Sequence, residues 1–214
     1  MKKVLVGLAA LAAIGAVGGF YTMNYFEDPD IQLVDLVVGR PAPAFTLPDA
    51  NGKPVHLADF KGKTVVLEWN NPGCPFVKKQ YDSGAMQKAQ AAAAGQGVVW
   101  LTVNSSAPGK QGDMDAEEAR EFLADKGARP AAYLLDPQGQ VGRTYGARTT
   151  PHMFVINRAG SLVYAGAIDD TEGSDKQGVP VRNHVLAALS ELKAGQPVSV
   201  ATSRPFGCSV KYDA

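Results

Sequence analysis

Cysteine is scarce in this chain, which has two cysteines, Cys74 and Cys208, among 214 residues. Two thiols exclude a small disulfide-rich scaffold and a zinc site built from four cysteine thiolates. They are enough for one thiol–disulfide couple. The sequence also lacks a Walker motif, a GxGxxG motif and an HExxH motif. We therefore expect no cofactor and no bound metal.

The chain also has no net charge, because 21 Lys and Arg residues balance 21 Asp and Glu residues. Nucleic-acid-binding domains carry a basic surplus, so the composition argues against a nucleic-acid partner. With 23 Gly and 14 Pro, the chain also falls short of a low-complexity disordered composition. At this length we expect one domain with additional segments at its ends.

Residues 1–26 have the pattern of a targeting segment. Lys2 and Lys3 precede an uncharged apolar run over residues 4–20, which is typical of a secretory signal or an N-terminal membrane anchor. Since the basic end should stay in the cytoplasm, we expect the rest of the chain to be exported to the periplasm. It would be soluble there, or anchored in the inner membrane through residues 4–20. Export would put the thiols where a disulfide can persist.

The remaining chain predicts a linker over residues 27–38, one α/β domain over 39–195 and an irregular tail over 196–214. An N-terminal β-hairpin is expected because the turn residues Asn51 and Gly52 separate two short apolar stretches. Strands and helices then alternate, which predicts a mixed central sheet flanked by helices. The predicted strands cover residues 64–69, 98–103, 132–135, 152–156 and 162–167, and the predicted helices cover residues 75–94, 115–126, 141–145 and 181–194.

Cys74 lies where a predicted buried strand meets a predicted helix. Pro75 suits the first helical position, which makes Cys74 the residue that caps the helix. The free amides of Phe76 and Val77 could then donate hydrogen bonds to its sulfur, and the helix dipole favours negative charge there. Lys78 adds a nearby cation, so we expect a reactive thiol with a lowered pKa. The alternative is that Cys74 is a small buried apolar residue.

The chain resembles the thioredoxin superfamily over residues 39–214, in particular its peroxiredoxin-like, AhpC/TSA-related redoxin branch. The resemblance rests on WNNPGCPFVKKQY at residues 69–81, YLLDPQGQVGRTYGARTTP at 133–151 and PFGCSVKY at 205–212. It implies a thioredoxin-like fold in which Cys74 is the nucleophile. It also implies a cis peptide bond between Thr150 and Pro151, whose backbone would face Cys74 and pair with an extended substrate chain. Arg148 would support the thiolate.

The chain departs from the family pattern at three positions. Val77 stands where dithiol thioredoxins have a second cysteine, so the usual local disulfide cannot form. Asn71 and Leu67 replace the threonine and the proline of the peroxiredoxin loop that activates peroxide. The substrate is therefore left open between a disulfide and a peroxide.

Cys208 lies in the tail, 134 positions after Cys74. If the tail brings the two Cα atoms within about 7 Å, Cys208 can resolve an oxidised or substrate-linked Cys74 and leave a disulfide between them. A partner dithiol protein would then supply the reducing equivalents. A fixed structural disulfide between the same residues, and pairing of Cys208 with another chain, remain open as alternatives.

We thus predict an exported thiol–disulfide oxidoreductase or thiol peroxidase with Cys74 as nucleophile and Cys208 as resolving thiol. The alternative function is that of a thioredoxin-fold binding protein, either for metal delivery or for assembly. A metal site in such a protein would need Cys74, Cys208 and His152. His152 could also act as a general acid, or it could be the first residue of a strand that faces away from Cys74.

Overall fold

The computed structural model describes residues 38–171 and 181–213. The predicted targeting segment, the predicted linker up to residue 37 and residues 172–180 lie outside this part of the chain. Within the described ranges, no helix is both long and apolar enough to cross a membrane. The elements in chain order are β1 (Thr46–Pro48), β2 (Pro54–His56), β3 (Val65–Trp69), α1 (Pro75–Asp82), α2 (Ala85–Ala94), β4 (Val99–Asn104), α3 (Ala116–Lys126), β5 (Ala132–Leu135), α4 (Gln140–Thr144), β6 (Thr149–Thr150), β7 (His152–Ile156), β8 (Leu162–Gly166), α5 (His184–Lys193) and β9 (Cys208–Ser209).

A five-stranded mixed sheet forms the centre of the fold, in the order β5-β4-β3-β7-β8. Strands β3, β4 and β5 are parallel, whereas β7 and β8 run antiparallel to their neighbours. The predicted hairpin is confirmed as the antiparallel pair β1–β2, in which Leu47 pairs with Val55. The predicted α/β thioredoxin-like fold with a mixed sheet and flanking helices is therefore confirmed.

Apolar side chains cover both faces of the sheet. Along β3, Leu67 and Trp69 belong to one core cluster, while Val66 belongs to a second cluster that also contains Cys74. This alternation follows from the strand geometry, in which successive side chains point to opposite faces. All five residues of β3 are buried, as expected for a central strand with both faces covered. The Cys74 side of the sheet is the side that α1, α2 and α5 pack against.

The predicted helix over residues 75–94 is wrong in one respect, because two helices occupy this range. Helix α1 ends at Asp82, and α2 begins after Gly84. Gly84 has a φ of 73°, a left-handed conformation that glycine adopts readily and other residues rarely do. A single left-handed residue breaks the helical hydrogen-bond pattern, so the chain changes direction there.

The ends of the other helices follow their caps. Asp115 caps α3 as predicted, and its side chain accepts hydrogen bonds from the amides of Glu117 and Glu118. The last helix begins at His184 rather than at residue 181, since Asn183 is the residue whose side chain caps it through the Leu186 amide. The predicted tail is irregular except for β9, which pairs with β6.

Candidate active site

Cys74 lies at the junction between β3 and α1, at the carboxyl end of a central parallel strand. It is the N-cap of α1 and is followed by Pro75 at the first helical position, as predicted. Its side chain is fully buried, with 0% exposure. The electropositive helix end favours a thiolate at this position, whereas burial by itself opposes it.

The two helix amides predicted to support the Cys74 sulfur differ in what they do. The Val77 amide lowers the pKa of Cys74, although no amide of the first turn forms a cap hydrogen bond of ordinary geometry with the sulfur. Phe76 is not among the main causes of the shift. Its ring instead makes an edge contact with the Phe206 ring, with centroids 6.2 Å apart. The role predicted for the Phe76 amide stays a prediction, and the Phe76 ring makes a packing contact between α1 and the tail.

Thr150 lies directly against Cys74. The Thr150–Pro151 peptide bond is cis, as the resemblance implied. The Cys74 thiol donates a hydrogen bond of 3.0 Å to the Thr150 carbonyl oxygen. The Thr150 hydroxyl is buried without a hydrogen-bond partner of its own, and it lowers the pKa of Cys74. This hydroxyl is thus a donor that the Cys74 thiolate can use.

Cys208 reaches Cys74 through β9. In the antiparallel pair β6–β9, Thr150 is directly opposite Cys208, and Thr149 is opposite Ser209. The structure contains both cysteines as free thiols. Cys208 packs against the cluster that contains Cys74, and its thiol, as a hydrogen-bond donor, lowers the pKa of Cys74. The backbone edge of Thr150, predicted to pair with a substrate, is therefore paired with the chain's own tail.

The tail is held on both sides of Cys208. Before it, the Ser203 hydroxyl accepts a hydrogen bond from the Ala167 amide. After it, the Val210 amide donates to the Arg148 carbonyl, and the Ala107 amide donates to the Lys211 carbonyl. These contacts fix Cys208 beside Cys74 without a covalent bond.

Tyr212 closes the end of the tail against the domain. Its hydroxyl donates to the Ala147 carbonyl at 2.8 Å. The Arg143 guanidinium lies over its ring, 4.7 Å from the centroid. A Cβ added at Gly142 would lie 2.5 Å from the Tyr212 hydroxyl oxygen, so the ring depends on glycine at this position. Through Tyr212, the segment at residues 205–212 that resembles the family holds the tail against α4.

The two thiols differ in acidity. Burial by itself would raise the pKa of Cys74, but the Cys208 thiol, the Val77 amide, the Thr150 hydroxyl and the Cys208 backbone together hold it below the ordinary thiol value. Burial, the hydrogen bond to Cys74 and the charge of Cys74 raise the pKa of Cys208 to about 11. The pair thus favours a thiolate on Cys74 and a protonated thiol on Cys208.

Lys78 and Arg148 have exposed side chains. Neither is among the main causes of the Cys74 pKa shift. Arg148 instead contributes through its backbone, which binds Val210 of the tail, and through its charge, which acts on His152. The thiolate is supported by polar atoms in contact with it, and the roles predicted for these two cations remain predictions.

His152 belongs to the opposite side of the sheet from Cys74. Its ring packs on Phe154, with centroids 4.4 Å apart, and its Nδ1 accepts a hydrogen bond from the Arg148 amide. Burial, followed by the Arg148 charge, lowers the pKa of His152 to about 4, which leaves the ring neutral at pH 7. Within the described residues, no three His, Cys, Asp or Glu side chains converge in a way that could hold a metal ion. The metal site with Cys74, Cys208 and His152 is therefore not formed.

A polar clamp around Asn71 holds the turn before Cys74, and the sequence interpretation missed it. The Asn71 side chain accepts from the Gly73 amide at 2.8 Å and donates to the Gln111 carbonyl at 2.9 Å. The Gln111 side chain donates to the Gly73 carbonyl at 3.0 Å. Gly112 has a φ of 78°, and a Cβ there would lie 2.0 Å from the Asn71 side-chain oxygen. The sequence marked Asn71 only as a departure from the peroxiredoxin pattern, because its partner Gln111 lies 40 residues away in the chain.

Glu68 is a second residue that the sequence interpretation missed, although a charged residue inside the apolar run TVVLEW was a visible sign. It has 0% exposure and faces the Cys74 side of the sheet. Burial raises its pKa. Both carboxyl oxygens accept hydrogen bonds, and the donors are Asn70, Tyr81, Gln90, Trp100 and Thr102. This network joins β3 and β4 to the two helices that follow Cys74.

The hydrogen bond between the thiols leads to a testable prediction. The Cys208→Ala variant lacks the S–H donor that lowers the pKa of Cys74, so this pKa should rise, because a hydrogen bond to a charged group contributes about 1.5–3 kcal/mol. The Cys208→Ser variant keeps a hydroxyl donor of similar size and should stay closer to the wild-type value. The pH dependence of Cys74 alkylation by iodoacetamide measures both. Equal values in the two variants would contradict a role for the donor.

The comparisons with known proteins agree with this geometry. Residues 37–179 match the family model described as Redoxin. Thiol-disulfide oxidoreductase ResA of Bacillus subtilis (strain 168) is 30% identical over 125 residues, which cover 58% of this chain and 64% of that protein. Thiol-disulfide oxidoreductase ResA of Geobacillus thermodenitrificans (strain NG80-2) is 28% identical over 171 residues, which cover 76% of this chain and 83% of that protein. The matched region thus spans slightly less than two thirds of the first relative.

A solved structure of similar architecture extends the comparison to most of the chain. The crystal structure of a hypothetical protein, SMc02350 from Sinorhizobium meliloti 1021, superposes with a TM-score of 0.74 at 29% sequence identity. The superposition covers 83% of this chain and 96% of that chain.

Proposed function

The chain belongs to the Redoxin family, and we propose that its thiol–disulfide oxidoreductase activity is carried by Cys74 and Cys208 and operates outside the cytoplasm. The observation that carries the proposal is that both cysteines meet at Thr150: Cys208 pairs with it in β6–β9, and the buried Cys74 thiol donates to its carbonyl oxygen. A helix N-terminal cysteine with a lowered pKa and a second thiol near it are the two parts that a thiol–disulfide cycle needs.

In the proposed cycle, the Cys74 thiolate attacks one sulfur of a substrate disulfide and forms a mixed disulfide. The other substrate sulfur leaves as a thiolate. Cys208 then loses its proton and attacks the Cys74 sulfur, which releases the second substrate sulfur and forms the Cys74–Cys208 disulfide. Counted from the two cysteines as thiols, the substrate gains two electrons and two protons, and the two cysteines lose them. A partner dithiol protein returns the electrons.

Thr150 and Pro151 would guide this chemistry through the tail. Because β9 occupies the backbone edge of Thr150, a substrate chain can pair with that edge only in the place of β9. In the reduced state the tail is held by hydrogen bonds and packing alone, so such an exchange requires no covalent change. Once the mixed disulfide has formed, the return of β9 to β6 would bring Cys208 back to the Cys74 sulfur.

The location outside the cytoplasm rests on residues 1–26. Lys2 and Lys3 before the apolar run over residues 4–20 support export, with this run as a cleaved signal or as an inner-membrane anchor. A stable disulfide cycle also fits an oxidising compartment. Fractionation of cells that express the full chain, followed by intact-mass measurement, tests this part. Recovery in the cytoplasm would exclude it, whereas the measured mass distinguishes a cleaved signal from a retained anchor.

A thiol-trapping experiment tests the cycle itself. The full chain, purified in detergent and reduced, would receive stoichiometric oxidised glutathione or hydrogen peroxide and then be quenched with N-ethylmaleimide and mapped by mass spectrometry. Wild-type protein should form the Cys74–Cys208 disulfide, and Cys208→Ser should accumulate glutathione or sulfenic acid on Cys74. Cys74→Ser is the control that cannot start the cycle.

The two oxidants distinguish a disulfide substrate from a peroxide substrate. We expect the disulfide to react faster, since Asn71 and Leu67 replace the residues that activate peroxide in peroxiredoxins. A faster reaction with hydrogen peroxide would identify a thiol peroxidase instead. If neither oxidant produces the Cys74–Cys208 bond, or if the bond resists reduction by thioredoxin, the two-cysteine cycle is wrong.

A further inference from the structure

The two sulfurs of the candidate site differ in their access to solvent. Cys74 has 0% exposure and lies beneath the β6–β9 pair. Cys208 is only half-buried, and the next residue, Ser209, is exposed. The Cys208 residue thus keeps surface in contact with solvent, whereas Cys74 has none. A protein partner therefore meets Cys208 first.

The difference in exposure between Cys74 and Cys208 persists in the oxidised protein. Both cysteines already lie against Thr150, Cys208 through strand pairing and Cys74 through its hydrogen bond, so the bond can form with the tail in its observed place. Once formed, the bond ties β9 to Cys74, and the tail can no longer move aside. Cys74 is thus covered in the oxidised protein, whereas Cys208 keeps its exposed side.

Attack on a disulfide takes place along the S–S axis, from behind the attacked sulfur. The Cys74 side chain is fully buried and contacts Thr150 of β6, which leaves an incoming thiolate no approach from solvent. Cys208 is half-buried and precedes the exposed Ser209. The geometry therefore leaves one sulfur open to an incoming thiolate.

We propose that the partner dithiol reduces the oxidised protein by attack on the Cys208 sulfur, and that Cys74 is the leaving group. This inference rests on the proposed two-cysteine cycle and specifies its return half. It makes Cys208 the residue that forms the mixed disulfide with the reductant, in addition to its role as resolving thiol.

The reduction takes place in two thiol–disulfide exchanges, and in each of them one S–S bond forms while another breaks. The thiolate of the partner bonds to the Cys208 sulfur, the Cys74–Cys208 bond breaks, and its electron pair stays on Cys74 as a thiolate. The second thiol of the partner then loses its proton and attacks the partner sulfur in the mixed disulfide. The partner leaves as a disulfide, and Cys208 leaves as a thiolate that takes up the proton.

The acidity of the two thiols favours attack on Cys208, as does their difference in exposure to solvent. A thiol of lower pKa leaves faster from a disulfide. The Thr150 hydroxyl and the Val77 amide stabilise the thiolate of Cys74, whereas burial and the neighbouring Cys74 raise the pKa of Cys208 to about 11. Attack on Cys208 therefore expels the better leaving group.

Quenched glutathione mapping tests the direction of attack. The oxidised full chain in detergent would be mixed with excess reduced glutathione, quenched at increasing times with acid and N-ethylmaleimide, and mapped by mass spectrometry. Extrapolated to zero time, glutathione should be on Cys208 and N-ethylmaleimide on Cys74. The protein labelled in this way should exceed the protein labelled in the reverse way by about tenfold. The same protein oxidised and then unfolded in urea is the control, because both sulfurs are accessible there and the ratio should fall toward one.

The outcomes separate this inference from the proposed function. Glutathione found first on Cys74 of the folded protein would overturn the direction of attack while leaving the two-cysteine cycle intact. An equal ratio in the folded and the unfolded protein would also overturn it, since access would then have no effect. If oxidation yields no Cys74–Cys208 bond at all, the proposed cycle fails and this inference fails with it.

Discussion

Replacement of Gly207 by alanine is expected to lower the effective concentration of the Cys208 thiol at Cys74 by about 30-fold, which corresponds to about 2 kcal/mol of backbone strain and steric conflict. Gly207 has a φ of 140°, which residues with a side chain rarely adopt. A Cβ there would lie 2.1 Å from the Thr150 carbonyl oxygen, which is backbone and cannot turn aside. The tail must therefore shift away from β6, and Cys208 shifts with it.

Titration in glutathione redox buffers measures this effective concentration through the fraction of protein that contains the Cys74–Cys208 disulfide. The matched control is Gly195→Ala. Gly195 also has a positive φ, of 71°, but no atom lies within 4 Å of the position of its Cβ. Both variants thus introduce strain at a glycine, and only one moves the tail against Thr150. An unchanged effective concentration in a folded Gly207→Ala protein would mean that the β6–β9 pairing does not position Cys208.

Replacement of Glu68 by leucine is expected to lower the free energy of unfolding by about 3–5 kcal/mol, because several buried donors lose their acceptor at once. The shortest of these bonds come from the Tyr81 hydroxyl at 2.7 Å and the Trp100 indole at 2.8 Å. Leucine fills a similar volume but accepts no hydrogen bond. Urea unfolding of the full chain, followed by tryptophan fluorescence, measures the loss. Glu121→Leu, at an exposed position on α3, should change the stability by less than about 0.5 kcal/mol.

The pH dependence of stability provides an independent test of Glu68. Burial raises its pKa in the folded protein above the ordinary value of 4.5, so the folded state holds its proton at a pH where the unfolded state has lost it. The contribution of Glu68 is complete below about 4.5 and is lost as the pH rises through the folded-state pKa. Glu68→Gln cannot ionise and should remove this fall in stability. A wild-type profile identical to that of Glu68→Gln would show that Glu68 does not titrate in the folded protein.

The local parts of the fold could be predicted because short-range physics determines them. The buried run before Cys74, the proline after it and the capping residue Asp115 each act within a few residues, and the strand, the helix start and the cap occur as predicted. The single predicted helix over residues 75–94 failed for a local reason as well. Its apolar pattern continued across Gly84, and the left-handed conformation of one glycine divided it.

The candidate site needed contacts between distant residues, for which a sequence pattern has no equivalent. Glu68 lies within a strand that the pattern identified correctly, but the donors that surround it come from Asn70 just after β3 and from β4, α1 and α2. His152 is on a strand that was also identified correctly. Which face it occupies depends on the register of β7 against β3, where it pairs with Trp69. Register is decided by the packing of both faces and not by the strand alone.

By itself, the sequence determined a buried strand that ends shortly before a cysteine, a helix that begins just after that cysteine and a second cysteine in a tail with little structure of its own. These features depend on backbone propensity, capping and apolar periodicity, all of which act over a few neighbouring residues. Only the tertiary structure decided that the tail pairs with Thr150 and that its thiol reaches Cys74. The physical reason is that this pairing is stabilised by residues far apart in the chain, from Ala107 to Tyr212, which come together only when the sheet has formed.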